Sequence, residues 1–150
     1  MNRSSIIAIL AVLVIACVAG FLFFGGSFGG DVIKVGSTEF KAPEGYHQGA
    51  PNKLGHVSMS NGTNEIYLTE LNGTDVNVHI KGYQDYLKTQ NQSIKVSNMN
   101  IGNVDIYKSS NDEHPYNVHY WFVKNNHTYN VYKWDDNRNM DKTVIDLVKS

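Results

Sequence analysis

The chain has 150 residues, which is enough for a short terminal segment and one domain of ordinary size. Its 13 Lys and Arg residues nearly balance 14 Asp and Glu residues, for a net charge of −1, so it carries no basic footprint for nucleic acid. The single cysteine excludes an intramolecular disulfide and a cysteine-based metal cluster.

The N-terminal segment contains an apolar run, Ile6 to Phe24, in which no side chain carries a charge, an amide or a hydroxyl. As a helix it would extend ~28 Å, close to the ~30 Å hydrocarbon thickness of a bilayer. Arg3 precedes the run and the first charge after it is Asp31, so the positive-inside rule places the N-terminus in the cytoplasm. The sequence therefore predicts a single-pass cell-membrane protein that contacts lipid through this run and carries its C-terminal domain outside.

Two other interpretations concern processing of this segment. Gly25-Gly26-Ser27 could be the cleavage site of a secretory signal, and Val14-Ile15-Ala16-Cys17 resembles a lipoprotein signal. However, the run is longer than the 7–15 apolar residues typical of a signal, and residues after Cys17 stay apolar. We therefore prefer a retained anchor at residues 1–24, a Gly-rich tether and linker at 25–37 and an extracytoplasmic domain at 38–150.

The first half of the outer domain is predicted to form short strands separated by turns. The predicted strands are Val32 to Phe40 with its continuation to Tyr46, His56 to Ser60, and Glu65 to Leu71. Val35 and Phe40 are expected to be buried. Asn61-Gly62 is typical of a type I′ turn, so the last two strands should form a hairpin.

The hydrophobic period then changes from that of a strand to that of a helix. Apolar side chains spaced four, three and four apart predict one buried helical stripe: Val76, Ile80, Tyr83 and Leu87, widened by Tyr86. Thr74 or Asp75 can cap the N-terminus, and the helix should end near Gln90. Because Gly82 costs ~1 kcal/mol relative to Ala, the helix is expected to begin nearer Ile80.

Four further strands and a second helix are predicted in the rest of the chain. The strands are Ser93 to Asn98, Val104 to Ser109, Asn117 to Lys124 and His127 to Trp134, and the helix carries Met140, Val144, Leu147 and Val148. A two-residue loop at Asn125-Asn126 would pair Phe122 with Tyr129 and Tyr120 with Val131 on one face. It would also pair Trp121 with Asn130 and His119 with Tyr132 on the other face. Both faces are apolar, so this hairpin should be central in the sheet.

The order of elements predicts an α+β fold, an N-terminal transmembrane helix followed by a mainly antiparallel sheet flanked by two helices. The helices are expected to cover opposite faces of the sheet. The alternative is that both pack on one face, which would leave aromatic side chains of the other face exposed.

Several segments together carry a resemblance to a known group of proteins. They are Phe40 to Tyr46, Tyr120-Trp121-Phe122, Tyr129 to Asp135 and the terminal helix to Ser150. They resemble short, N-terminally anchored, uncharacterised surface proteins of methanogenic archaea. The outer domain is also similar to PsbP-like folds, which implies a compact antiparallel sheet flanked by helices and no particular function.

Catalytic and metal-binding patterns are absent from the sequence. It lacks G-x-S-x-G, S-x-x-K and phosphate-binding glycine motifs, and its histidines, including His114 and His119, do not form H-E-x-x-H. Asp135, Asn137, Asn139, Asp141 and Asp146 follow the spacing of a calcium loop. Met140 stands where that loop requires glycine, and a loop capping the last helix explains the same residues. We predict no catalytic residue, no cofactor and no metal.

Two sets of residues are candidate sites. The first is an aromatic ledge that a sugar or peptide could contact, formed by Trp121, Tyr132, Trp134, His119 and Asp135. We expect the last helix to cover this ledge, in which case its residues serve packing, and the ledge is a ligand site only if the helix leaves it exposed. The second set is four N-glycosylation triplets at expected turns, beginning at Asn61, Asn72, Asn91 and Asn126.

These observations favour a non-enzymatic surface module that contacts an envelope glycan or a surface protein. An accessory subunit of a membrane complex and a small enzyme with an unfamiliar site are the alternatives.

Overall fold

The computed structural model describes residues 30–133 and 140–150, and Asp31–Ser150 form one compact unit. The predicted anchor, Ile6 to Phe24, lies outside the described residues. Neither helix in the described part of the chain has the length and hydropathy needed to span a bilayer.

The described residues form nine strands and two helices, and all strand pairs are antiparallel. The strands are β1 (Val32–Val35), β2 (Thr38–Lys41), β3 (His47–Gln48), β4 (Val57–Ser60), β5 (Glu65–Leu71), β6 (Lys95–Ile101), β7 (Val104–Ser110), β8 (Val118–Lys124) and β9 (His127–Lys133). The helices are α1 (Val76–Thr89) and α2 (Asp141–Lys149). β1 and β2 form a separate hairpin, and the other strands form one sheet in the order β3-β4-β5-β9-β8-β7-β6. The predicted α+β class with a mainly antiparallel sheet and two helices is confirmed.

The β8–β9 hairpin has the predicted register and lies inside the sheet. Phe122 pairs with Tyr129, and Trp121 pairs with Asn130. Asn125 and Asn126 have φ values of 49° and 63°, in the left-handed region that asparagine tolerates better than most residues. This two-residue loop fixes the register and therefore decides which side chains lie on each face of the sheet.

The main hydrophobic core lies on one face of the sheet, here called the α2 face. The β1–β2 hairpin and α2 both pack against it, and its members include Phe40, Phe122, Tyr129 and Leu147. The Phe40 ring lies 4.9 Å from the Tyr129 ring at 79°, an edge-to-face geometry worth about 0.5–1.5 kcal/mol beyond burial. Val35 and Phe40 are buried, as predicted, at 2% and 1% exposed.

Strand β1 lies within the segment predicted as tether and linker, residues 25–37. Its side chains Ile33 and Val35 are in the main core, so folded structure begins before residue 38. Gly36, at φ 57°, forms the turn to β2, and a Cβ there would lie 2.2 Å from the Glu70 carboxylate. That carboxylate accepts hydrogen bonds from the Ser37 amide at 2.8 Å and the Tyr129 hydroxyl at 2.9 Å, which joins the hairpin to the sheet.

Helix α1 packs on the opposite face, here called the α1 face. Val76 and Ile80 form a second core with Trp121, so the prediction that the helices cover opposite faces is confirmed. The helix begins at Val76 and not near Ile80, because the Asp75 carboxylate caps it by accepting the Asn77 amide at 3.0 Å. Gly82 lies on the solvent side, where its cost does not interrupt the helix.

Candidate functional site

The structure buries the described members of the predicted ledge. Trp121 is 2% exposed, Tyr132 3% and His119 7%, while Trp134 and Asp135 lie outside the described residues. The expectation that the last helix covers this face is wrong, since α2 packs on the opposite face and α1 covers Trp121. These three side chains are therefore not offered to a ligand at the surface.

The buried rings form a row across the α1 face. The His119 ring is nearly parallel to both of its neighbours, Trp121 at 5.5 Å and 18° and Tyr132 at 5.0 Å and 11°. Tyr83 of α1 packs over the row, with its ring 4.4 Å from that of His119. Stacked rings of this kind stabilise the attachment of the helix to the sheet.

His119 is the strongly perturbed titratable group of this row. Burial lowers its pKa from 6.5 to about 4, although the hydrogen bond between its Nδ1 and the Asn130 side-chain oxygen, at 3.2 Å, favours the charged form. The ring is therefore neutral at physiological pH. Its burial beneath α1 separates it from solvent, so we assign it to stability rather than to proton transfer.

A second histidine lies at the edge of the same face. His56 Nδ1 lies 2.7 Å from the Tyr132 hydroxyl, and the Asn52 side-chain nitrogen donates to the same hydroxyl oxygen at 2.8 Å. Burial lowers the pKa of His56. These contacts fasten the loop between β3 and β4 to the sheet.

Metal-binding side chains do not converge in the part of the chain that the structure describes, where no three His, Cys, Asp or Glu residues form a group. Of the calcium-type spacing, Asp135, Asn137 and Asn139 lie outside the described residues. Asp141 accepts hydrogen bonds from Lys108 at 2.8 Å and from the Tyr120 hydroxyl at 2.5 Å. Asp146 pairs with Lys142 at 2.7 Å. Both carboxylates thus have internal partners.

Among the described residues, an aromatic surface concavity lies where the C-terminal end of α1 meets the loop between β7 and β8. This tyrosine pocket has a volume of about 340 Å³ and is lined by Tyr83, Tyr86, Leu87, Gln90, Gln92, His114, Tyr116 and Asn117. Tyr86 is 60% exposed and Tyr116 is 45% exposed, which is unusual for large aromatic side chains. Leu87 is buried at its base.

The helical wall of the tyrosine pocket is fixed by the way α1 ends. The Gln92 amide donates to the Leu87 carbonyl at 2.9 Å, and the Asn91 amide donates to the Lys88 carbonyl at 3.1 Å. With Asn91 at φ 55°, these bonds form a Schellman motif, which ends a helix in a defined geometry. The backbone that carries Tyr86, Gln90 and Gln92 therefore has a defined geometry.

The loop wall is fixed by Asn111, which is 4% exposed. Its side-chain oxygen accepts the amides of Glu113 and His114 at 2.9 and 3.1 Å. Its side-chain nitrogen donates to the Gln92 side-chain oxygen at 3.4 Å, a contact that joins the loop to the end of α1. The two walls are thus connected, so the pocket is preformed.

Only one local sequence signal points to this pocket. Tyr83 and Tyr86 were predicted to belong to a buried helical stripe, yet Tyr83 is half-buried and Tyr86 is exposed. His114 and Tyr116 belong to no sequence motif. The one available signal was the pair of tyrosines three residues apart on a helix whose apolar stripe was already complete without Tyr86.

The asparagines of all four glycosylation triplets are exposed on turns. Asn61 and Asn126 lie in the β4–β5 and β8–β9 turns, Asn72 follows β5, and Asn91 follows α1. Asn91 lies between two side chains that line the tyrosine pocket, Gln90 and Gln92. The hydroxyl residues of three triplets, Thr63, Thr74 and Ser93, are exposed as well. Thr128 of the Asn126 triplet is fully buried and donates to the Gly73 carbonyl at 2.8 Å, so that triplet is not open to modification in the folded domain.

Comparison with models of known protein families found none that matches this chain, and comparison with curated proteins found no match either.

Proposed function

We propose that this protein is a membrane-anchored, extracytoplasmic binding module, and that its tyrosine pocket binds a neutral saccharide of the cell envelope. The observation that carries the proposal is the pairing of two exposed tyrosines with side-chain amides in one preformed pocket. Ile6 to Phe24 would hold the chain in the lipid, with the N-terminus in the cytoplasm and the domain outside.

The chemistry of the tyrosine pocket suits a sugar ring. A tyrosine offers an apolar face with a polar hydroxyl at its edge, which matches the apolar C–H face and polar rim of a pyranose. Gln90, Gln92 and Asn117 each carry a donor and an acceptor on one planar group, so each can bind neighbouring hydroxyls. A ligand with an apolar face and a hydroxyl-bearing rim can contact both the tyrosine rings and the side-chain amides of the lining.

Size and charge narrow the ligand class further. A volume of about 340 Å³ lies at the lower end of the range for small-molecule sites, so the pocket suits one or two sugar rings. None of its lining residues is Asp, Glu, Lys or Arg. Without a charged partner, an ionised ligand would lose hydration and gain little, so we favour a neutral saccharide.

Substitutions in the tyrosine pocket test the proposal. We expect the full chain in lipid nanodiscs to bind one or more members of an array of neutral oligosaccharides. Tyr86→Ala and Tyr116→Ala should each weaken that binding roughly tenfold, equivalent to about 1.4 kcal/mol, because each removes an aromatic contact surface. Affinities measured by microscale thermophoresis would give these ratios.

The matched control is Val78→Ala, since Val78 is 62% exposed on the same helix and does not line the tyrosine pocket. Its affinity should equal that of the unchanged chain. Binding that survives both tyrosine substitutions, or a folded chain that binds no saccharide of the array, would contradict the proposal.

The anchor is tested separately by the intact mass of the membrane-bound protein. We expect an unmodified N-terminal segment that retains residues 1–30, because the run is too long for an ordinary signal. A chain that begins at Cys17 with added acyl groups would indicate a lipoprotein. A chain that begins near Ser27 would indicate cleavage.

A further inference from the structure

The two outer edges of the main sheet differ greatly in length. At one edge β3 has two residues, His47 and Gln48, which is too short to accept a further strand. At the other edge β6 has seven residues, and among the described residues it pairs only with β7. An edge of this length presents a row of backbone N–H and C=O groups to an incoming strand.

Strand β6 also lacks the features that usually protect an edge. Its pairing with β7 runs without interruption from Lys95–Ser110 to Ile101–Val104, so no bulge twists the edge away. It contains no proline. Its one charged side chain, Lys95, forms an ion pair with Asp112 at 2.5 Å within the same molecule, so that charge is already balanced.

We propose that two copies of this chain associate by antiparallel pairing of their β6 strands about a two-fold axis at Asn98. This register uses all seven residues, because Asn98 is the middle residue of the strand. It places Asn98 opposite Asn98, Ser97 opposite Met99, Val96 opposite Asn100 and Lys95 opposite Ile101. The pairing opposes no like charges, and the two Asn98 amides can each donate to and accept from the other.

The symmetry of this pairing gives both copies the same orientation. A two-fold axis perpendicular to the sheet keeps the α1 faces of the two copies on one side and the α2 faces on the other. The β1–β2 hairpins, which pack on the α2 face, then lie on the same side. This arrangement is compatible with two chains held in one membrane, a point that rests on the proposed anchor.

The pairing would also extend a groove beside the edge. A groove of about 600 Å³ separates α1 from β6, with Lys81, Gln84 and Lys88 on one side and Val96 and Asn98 on the other. Val96, an apolar side chain on the edge strand, is 37% exposed there. In the pair, Asn100 of the second copy lies beside Val96 and extends the groove floor.

Single cysteines in β6 test the register in the full chain, with Cys17→Ser to remove the native thiol. Asn98→Cys brings two sulfurs together across the two-fold axis, since directly opposed Cβ atoms lie about 4.5–5.5 Å apart. Ser97→Cys is the matched control in the same strand, because its nearest copy lies on a diagonal, about 7–8 Å away. A mixture of Ser97→Cys and Met99→Cys chains forms pairs in which the two introduced thiols lie directly opposite each other.

Under mild oxidation we expect Asn98→Cys and the Ser97→Cys/Met99→Cys mixture to form covalent dimers several-fold faster than Ser97→Cys alone. Asn98→Lys, which opposes two lysines, should shift the uncrosslinked chain from twice the monomer mass to the monomer mass in light scattering. Equal crosslinking of Asn98→Cys and Ser97→Cys would overturn the proposal, as would a monomer mass for the unchanged chain at every concentration.

Discussion

Acidification from pH 6.5 to about pH 4 should remove roughly 3 kcal/mol of the free energy of unfolding through His119 alone. Burial keeps the folded-state pKa of this imidazole near 4, whereas the unfolded chain titrates near 6.5. Protons therefore bind the unfolded chain first as the pH falls. The stabilisation from His119 is complete above pH 6.5, and it is lost progressively as the pH falls to the folded-state pKa.

Urea unfolding at a series of pH values checks this prediction. His119→Phe keeps a flat ring between Trp121 and Tyr132 and removes the proton-binding site, so the part of the loss between pH 6.5 and 4 that comes from His119 should disappear. The part that comes from His56, whose pKa burial also lowers, should remain. His114→Gln, a change at an exposed histidine, is the control and should leave the curve in place. Glu70 and Asp141 have lowered pKa values, so their contributions are lost only as the pH falls below 4.5 and 3.8. An unchanged curve for His119→Phe would contradict the assignment.

Phe122→Ala should have the largest effect of any single substitution considered, a loss of about 3–5 kcal/mol in the free energy of unfolding. Phe122 is fully buried, and its ring lies 6.2 Å from that of Phe40 and 5.8 Å from that of Tyr129. Removing it opens a cavity where the β1–β2 hairpin and the central strands meet. Fluorescence-monitored urea unfolding of the full chain measures the loss.

Tyr86→Ala is the comparison for that core substitution. Because Tyr86 is mostly exposed, its replacement should change the free energy of unfolding by no more than about 0.5 kcal/mol. A similar loss for both variants would show that the main core is not where the structure places it. If Tyr86→Ala hardly changes the free energy of unfolding, then weaker saccharide binding by this variant reflects the lost contact and not unfolding of the domain.

The β8–β9 hairpin shows what the sequence could predict. Alternation over Val118 to Lys133 and a two-residue Asn-Asn loop together determine which residues pair, and they therefore place Trp121 and His119 on one face. The same rules cannot say which distant helix covers that face. Coverage of Trp121 by α1 depends on packing between segments about 40 residues apart.

The tyrosine pocket shows why the candidate site was missed. Tyr86 and Tyr116 are thirty residues apart, and they line one pocket because the β7–β8 loop lies beside the end of α1, where Asn111 contacts Gln92. No local period or turn motif encodes that proximity. Strand β3 was missed for a related reason, since two residues form a strand only through their pairing with β4.

The most direct test of the proposed function is a titration with the tightest-binding neutral oligosaccharide, followed through the ring signals of ¹³C-labelled tyrosine in the full chain. Of its nine tyrosines, Tyr86 and Tyr116 should show the largest shifts, since they form the rim of the pocket. The rings of Tyr120 and Tyr129, fully buried in the main core, should stay in place. Saturable shifts confined to tyrosines outside the pocket, or no saturable shift at all, would contradict the account.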